Sequence, residues 1–180
     1  MLKIDNNTAL FNDITYHKSA NHNERPKDVI IDTIIIHCIS LPAGSYDNDN
    51  IIDLFTNSLD ISKDPSFKCL KNIKVSSHLL IKRDGKIIQF VPFNLRAWHA
   101  GESEYKNRKN CNDYSIGIEL EGTSSTGYTE IQYDVLKEVI RSLKDFYPKI
   151  VDENIIGHNE VAPDRKDDPG PYFEWNRIKV

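Results

Sequence analysis

The sequence predicts an α/β fold, a mixed central β-sheet flanked by helices in one domain, and three stretches carry that prediction. Residues 29–36 (VIIDTIII) form a nearly continuous β-branched run, short enough for a strand and apolar on both faces, as central strands of layered α/β domains are. Residues 115–122 (SIGIELEG) alternate, with Ile116, Ile118 and Leu120 on one face and Ser115, Gly117, Glu119 and Glu121 on the other. Residues 129–147 open on the capping-box pattern Thr129-Glu130-Ile131-Gln132 and continue as an apolar stripe through Ile131, Val135, Leu136, Val139, Ile140, Leu143 and Phe146, until Pro148 stops the helix.

The remaining elements follow in chain order. Residues 1–28 are expected to form a polar arm, irregular but packed in places by Leu10, Phe11, Ile14 and Tyr16, and ending in the turn-prone NERPKD; residues 29–180 form the domain proper. The first strand is expected to end at His37. After the turn chemistry of LPAGSYDND, residues 51–59 place Ile51, Ile52, Leu54 and Phe55 at helical spacing, and a second short helix follows Pro65 with Phe67, Leu70 and Ile73. Residues 75–81 and 86–91 flank RDGK, an Asp-Gly signal for a hairpin, with His78 on its first arm. Residues 96–113 are long, polar and glycine-containing and read as a surface loop of the kind that lines ligand sites. A short strand over 154–157 delivers His158 into VAPDRKDDPGP, too rich in Pro and Asp for regular structure.

Composition narrows the function classes. A chain of 180 residues, 39% hydrophobic and 28% charged, suits one soluble core and lies outside the range of disordered sequences. Its net charge of −4 gives no bulk field favouring nucleic acid or an anionic membrane surface. No stretch approaches the roughly 20 apolar residues of a membrane span, and the N-terminus has no unbroken apolar core of a signal peptide. Cys38, Cys69 and Cys111 lack the spacing of a disulfide framework or thiolate metal site and read as reduced, inert thiols. The expected compartment is the cytoplasm.

The chemistry-bearing residues are then the histidines: His17, His22, His37, His78, His99 and His158. A catalytic zinc site draws three ligands from His and carboxylates and leaves one position open. His37 and His158 each leave a β-run for a loop, which lets their side chains converge at one sheet edge. Either alone reads as a hydrogen-bonded structural residue; together with the acidic loop after His158 they suggest a metal site. Asp164, Asp167 and Asp168 all offer a third oxygen ligand beside Lys166, and spacing does not choose among them.

Five segments in this order, IIIHCISLPAG, VSSHLLIKRDGKIIQFVPF, RAWHAGES, CNDYSIGIELEGT and GHNEVAPDRKDDPGP, resemble the zinc-dependent N-acetylmuramoyl-L-alanine amidases, a family that includes phage lysozyme-type amidases and peptidoglycan recognition proteins. Within it they are most similar to the cytoplasmic branch that acts on 1,6-anhydromuropeptides in cell-wall recycling. The resemblance runs from about residue 29 to the end. It implies a single amidase-like domain with Zn²⁺ at the carboxyl edge of the central strands, and hydrolysis of the amide between 1,6-anhydro-N-acetylmuramic acid and L-Ala of the stem peptide.

Carried onto this chain, the resemblance implies that His37, His158 and Asp168 hold zinc, that Glu119 is the catalytic carboxylate and that Lys166 stabilises the transition state. These types suit the chemistry: zinc lowers the pKa of water to about 7, a carboxylate can shuttle its proton, and a cation can balance the oxyanion. Strand alternation places Glu119 and Glu121 on the same face, so the pattern alone does not separate them. Trp98 and His99 resemble substrate-groove residues, and Lys74, Arg108 and Lys109 are candidates for gripping substrate carboxylates. Cys38 stands where an Asn is expected, and alternation points it away from His37. Ser77 replaces a tyrosine of the wider family, in keeping with a carboxylate role at Glu119.

The implied partners are small soluble anhydromuropeptides, with no nucleic acid, no membrane and a monomeric chain. Three rival readings differ in kind. A non-catalytic muropeptide-binding module would typically lack a zinc ligand or the carboxylate. A secreted amidase acting on intact wall would share the metal site, although the long 43–73 insertion would restrict access to small substrates. A cysteine hydrolase would depend on Cys38 or Cys111 and be indifferent to chelation.

Overall fold

A computed structural model gives the fold of residues 2–179. The arm that precedes the first long strand is stitched into the sheet. Its β1 (Thr15–Tyr16) and β2 (His22–Asn23) are two-residue strands, and Ala9 and Phe11 are buried. Arg25 is the arm's main anchor. Its guanidinium donates to the carbonyls of Asn112 (3.0 Å), Asp113 (2.8 Å), Phe93 (3.1 Å) and Ser115 (2.9 Å). Burial pulls its pKa down to about 10, so it remains charged at neutral pH.

The first long strand, β3 (Thr33–Ile39), begins four residues later than the apolar run suggests and carries His37 within it rather than at its end. Its neighbour in the sheet starts at Ser115, opposite Thr33, so residues 29–32 have no ladder to join. After β3 come α1 (Asn50–Phe55) and a 3-10 turn over Pro65–Leu70 that Asp64 caps by accepting from the Ser66 N–H. The hairpin forms as expected from β4 (Leu79–Ile81) and β5 (Ile87–Gln89), with Gly85 at φ +85° in its turn. A Cβ there would also sit 2.7 Å from Ile131, so both conformation and space call for glycine.

Residues 96–113 are more regular than their polarity suggests. They contain β6 (Arg96–Ala97), a small hairpin of β7 (Glu104–Tyr105) and β8 (Arg108–Lys109), and a 3-10 turn over Cys111–Asp113. The ladder partner of β6 is β2 in the arm, seventy-odd residues away, which no local pattern reveals. The hairpin tip, Lys106 and Asn107, has φ of +50° and +62°, as tight two-residue turns require.

The chain then runs through β9 (Ser115–Glu121), α2 (Glu130–Phe146), β10 (Ile155–Gly157) and α3 (His158–Val161). The capping box at Thr129 and Gln132 forms, and the Thr129 hydroxyl also donates to Arg83 O, tying the helix to the hairpin turn. Ile131, expected in the apolar stripe, is 47% exposed; the buried positions of that first turn are Gln132 and Tyr133. Gln132 donates to the carbonyls of Ile81 and Glu121, which no apolar residue could satisfy.

The main sheet is six-stranded and mixed, in the order β1-β5-β4-β9-β3-β10. β3, β9, β10 and β4 are mutually parallel where they pair, so their carboxyl ends share one edge. Ile34, Ile36, Leu79, Ile81, Ile116, Ile118 and Leu120 form one face and pack on Leu136, Val139, Ile140 and Leu143 of α2. The opposite face meets α1 through Leu80, Ile88, Ile51, Leu54 and Phe55. Helices and loops thus cover both faces, and the polar positions of β3 and β9 open at the shared carboxyl edge.

Candidate metal and active site

Strand alternation decides which side chains meet at that edge. Residues 34, 36 and 38 of β3 face α2, so His37 points to the other side, as Glu119 does from β9. β10 ends at Gly157, and His158 begins α3 beside β3. Asp168 arrives from the C-terminal loop, where its carbonyl accepts from the Asn159 N–H at 2.9 Å.

His37 Nδ1, His158 Nδ1 and Asp168 Oδ2 lie 2.9, 3.2 and 3.1 Å apart, and all three residues are buried. A tetrahedral zinc with ligands at about 2.0–2.2 Å would separate its ligand atoms by roughly 3.3 Å. The donor set therefore fits a metal in size as well as in kind. The outer nitrogens are engaged too: His158 Nε2 lies 3.1 Å from Ala100 O, and His37 Nε2 lies 2.9 Å from His99 Nδ1.

The electrostatics suit a cation. Burial pulls the His37 pKa down to about 4, leaving the imidazole neutral and able to ligate. Burial pushes the Asp168 carboxyl up, but the nearness of the His158 and His37 ring nitrogens outweighs that and holds it below the usual range. Glu119 behaves oppositely. Burial, reinforced by the negative charge of Asp168 and opposed by Lys166, drives its pKa well above the ordinary 4.5. Its Oε2 is buried with no hydrogen-bond partner among the described residues. A carboxyl oxygen in that state is a group waiting for a proton or for a ligand that carries one.

The family model for N-acetylmuramoyl-L-alanine amidases matches residues 25–171. The chain belongs to the N-acetylmuramoyl-L-alanine amidase family. This amidase is 49% identical over 162 residues to the 1,6-anhydro-N-acetylmuramyl-L-alanine amidase AmpD of Escherichia coli (strain K12), covering 90% of this chain and 88% of that one. A crystal structure of a selenomethionine AmpD derivative superposes with a TM-score of 0.93 at 43% identity, covering 97% and 96% of the two chains. The E. coli amidase AmiD, solved with anhydro-N-acetylmuramic acid-L-Ala-D-gamma-Glu-L-Lys, superposes with a TM-score of 0.59 at 29% identity, covering 86% of this chain and 59% of that one.

In the amidase, His37, His158, Asp168, Glu119 and Lys166 line one cavity with Trp98 and His99. Phe55, Leu70 and Ile73, from the 43–73 insertion, make an apolar wall of the same cavity. Trp98 is held by the arm, its indole N–H donating to Asn23 Oδ1 at 2.7 Å and its backbone N–H to Ser76 Oγ at 3.0 Å. Lys74 lines an adjoining hollow that shares Leu70 and Ile73 with the cavity.

Arg108 is not brought to the cavity. It pairs with Asp32 at 2.7 Å and lies 3.7 Å above the Tyr114 ring, near the amino end of β3 and away from the carboxyl edge. Its charge is already matched there, and the expectation that it grips substrate has no support in its placement. Lys109, its neighbour on β8, is exposed and lines a different hollow.

The structure also separates the two glutamates. Glu121 is buried but fully employed, accepting from the Arg83 N–H at 2.9 Å and the Asp47 N–H at 3.3 Å, whereas Glu119 is the one beside the ligand cluster. Asp164 and Asp167 are exposed, and Asp167 accepts from Ser124. Burial pushes the Cys38 thiol pKa up to about 12. His78 is not a ligand: its Nδ1 accepts from the Gly117 N–H and its Nε2 donates to Leu95 O.

Three contributors escaped the sequence reading. The Ala100 carbonyl holds His158. Asn112 Oδ1 accepts from the N–H groups of both His99 and Ala100, fixing the segment that backs the two histidine ligands. Arg25 ties the arm to the loops beneath. None of these carries a local signature; a backbone carbonyl and a carbonyl-bound Arg are visible only in three dimensions.

Proposed function

We propose that this chain is a zinc-dependent amidase that cleaves the bond between the lactyl group of 1,6-anhydro-N-acetylmuramic acid and L-Ala of the stem peptide, in the cytoplasm, as a step of cell-wall recycling. The reading rests most on one observation: the buried carboxyl oxygen of Glu119, unpartnered among the described residues, beside the His37, His158 and Asp168 cluster. It is supported by the similarity to AmpD over nine-tenths of the chain. Among the described residues no helix is long and apolar enough to cross a membrane.

His37, His158 and Asp168 are the residues that would hold the ion. When bound, zinc supplies Lewis acidity that polarises the amide carbonyl and makes water a nucleophile near neutral pH. Glu119 takes the proton of the attacking water at its free oxygen, a transfer its raised pKa favours, and delivers it to the departing amide nitrogen. Lys166 lines the same cavity, and its positive charge is suited to offset the oxyanion of the tetrahedral intermediate. Leu70, Ile73 and Trp98 form an apolar rim against which a sugar or peptide face can rest, and Lys74 in the adjoining hollow is suited to a stem-peptide carboxylate.

The test is an assay with anhydromuramoyl-tripeptide and with intact peptidoglycan, before and after chelation and zinc restoration. The expected result is cleavage of the small substrate that is lost on chelation and recovered with zinc. Activity that survives complete metal removal, or a preference for intact wall, overturns the corresponding half of the proposal.

A further inference from the structure

We propose that His99 is a positioning residue that fixes the ring tautomer of His37, through a directed hydrogen-bond chain that ends on the Cys111 carbonyl. The inference rests on the zinc reading above and adds a role for a residue that otherwise only lines the groove.

The direction of the chain follows from its last link. The Ser115 hydroxyl has one proton, and it is committed to Cys111 O at 2.6 Å. Towards His99 Nε2, at 3.3 Å, that hydroxyl can therefore only accept, so His99 carries its proton on Nε2. In the neutral ring Nδ1 is then a lone pair. It faces His37 Nε2 at 2.9 Å and accepts from it. His37 is left with its own lone pair on Nδ1, the atom that lies 2.9 Å from His158 Nδ1 and 3.2 Å from Asp168 Oδ2. One serine proton thus sets two imidazole tautomers, and the second is the one a metal requires.

The backbone is shaped for this arrangement. A Cβ on Gly117 would lie 2.5 Å from His99 Cγ, so the ring rests on a strand position that must have no side chain. The His37 and His99 rings meet nearly edge to face, at 87° and a centroid separation of 5.0 Å. Asn112 holds the His99 main chain at 3.1 Å. His158 has the simpler version of the same device, because its Nε2 faces the Ala100 carbonyl, which can only accept. Outer partners of this kind commonly account for 10–100-fold in metal affinity.

The experiment measures zinc affinity by competition with a chromophoric chelator, for the wild-type chain and for His99→Phe, His99→Gln and Ser115→Ala. Alongside it, ¹⁵N NMR of the metal-free wild type reads the His37 tautomer. His99→Phe keeps the ring and removes the acceptor, and should weaken zinc binding about 10–100-fold. His99→Gln can accept again through its amide oxygen and should recover part of that loss. Ser115→Ala frees His99 to change tautomer and should fall between. Folding is checked by the melting temperature of each metal-free variant. Should His99→Phe fail to fold, the tautomer measurement and Ser115→Ala decide. The proposal is overturned by a folded His99→Phe with wild-type zinc affinity, or by a wild-type His37 that carries its proton on Nδ1. A wild-type chain that binds no zinc sinks the metal reading, and the tautomer measurement still judges His99.

Discussion

His37 and Glu119 are register partners on adjacent parallel strands, β3 and β9, so the residue assigned to the metal and the residue assigned to the proton leave the sheet side by side. Their relative position is set by the ladder, while Asp168 and Lys166 come from a loop.

Glu119→Gln should retain zinc, measured by metal analysis, and lose about 10²-fold or more in turnover, since the amide cannot carry the proton. The same substitution should have a pH-dependent effect on stability. Glu119 has its folded pKa raised above the unfolded value, so its contribution is fully present below about pH 4.5 and is lost as pH rises towards the folded pKa. In metal-free protein, the melting temperature of the variant relative to wild type should therefore increase from pH 4 to pH 8. A difference that stays flat over that range would contradict the strained state of the carboxyl.

Asp168→Ala should weaken zinc binding far more than it alters the fold, because its carboxylate faces both histidines while its backbone hydrogen bond to Asn159 survives the change. Comparison of zinc affinity with the circular dichroism of the metal-free variant checks this.

Gly117→Ala should impair the site without removing any polar group. The new methyl would meet the His99 ring at 2.5 Å, and the ring must tilt away from His37 or the strand must shift. The expected outcome is a loss of about 1–3 kcal/mol in stability, as for other overpacked positions, accompanied by weaker zinc binding.

The three thiols should divide by reactivity. Cys38 holds its proton, with a pKa near 12, and Cys111 is buried against Tyr114, whereas Cys69 is exposed. Alkylation at pH 8 should label Cys69 alone within minutes, and activity should persist; rapid loss of activity on labelling would revive a thiol mechanism.

Arg25→Met should destabilise the chain by more than about 3 kcal/mol, because four carbonyls on two separate segments, Phe93 and residues 112–115, lose a charged donor at once. Chemical denaturation measures it.

The fold was readable where one segment contains its own explanation. The alternation of residues 115–122 and the capping box with its stripe identify β9 and α2, and Asp84-Gly85 identifies the hairpin. It was not readable where the partner is remote. The first strand starts at Thr33 because its neighbour does, and β6 exists because the arm pairs with it. At the site, residue types narrowed the ligands to two histidines and one of three aspartates. The family resemblance pointed to Asp168, and the path of the C-terminal loop turns it inward while Asp164 and Asp167 are exposed. Arg108 misled because composition registers a cation without registering that Asp32 has already neutralised it.

His37 and Asp168 are 131 residues apart in sequence and 3.2 Å apart in space. An ion between them would be a clasp across most of the polypeptide, closing a loop that includes α1, the hairpin, β9 and α2. During synthesis such a clasp could not be fastened until the loop that carries Asp168 has left the ribosome, so metal capture would report that the chain from β3 to that loop has been made. Removal of the ion should correspondingly loosen the C-terminal loop first, and a protease that cuts near Lys166 would detect the unfastened state before any global unfolding occurs.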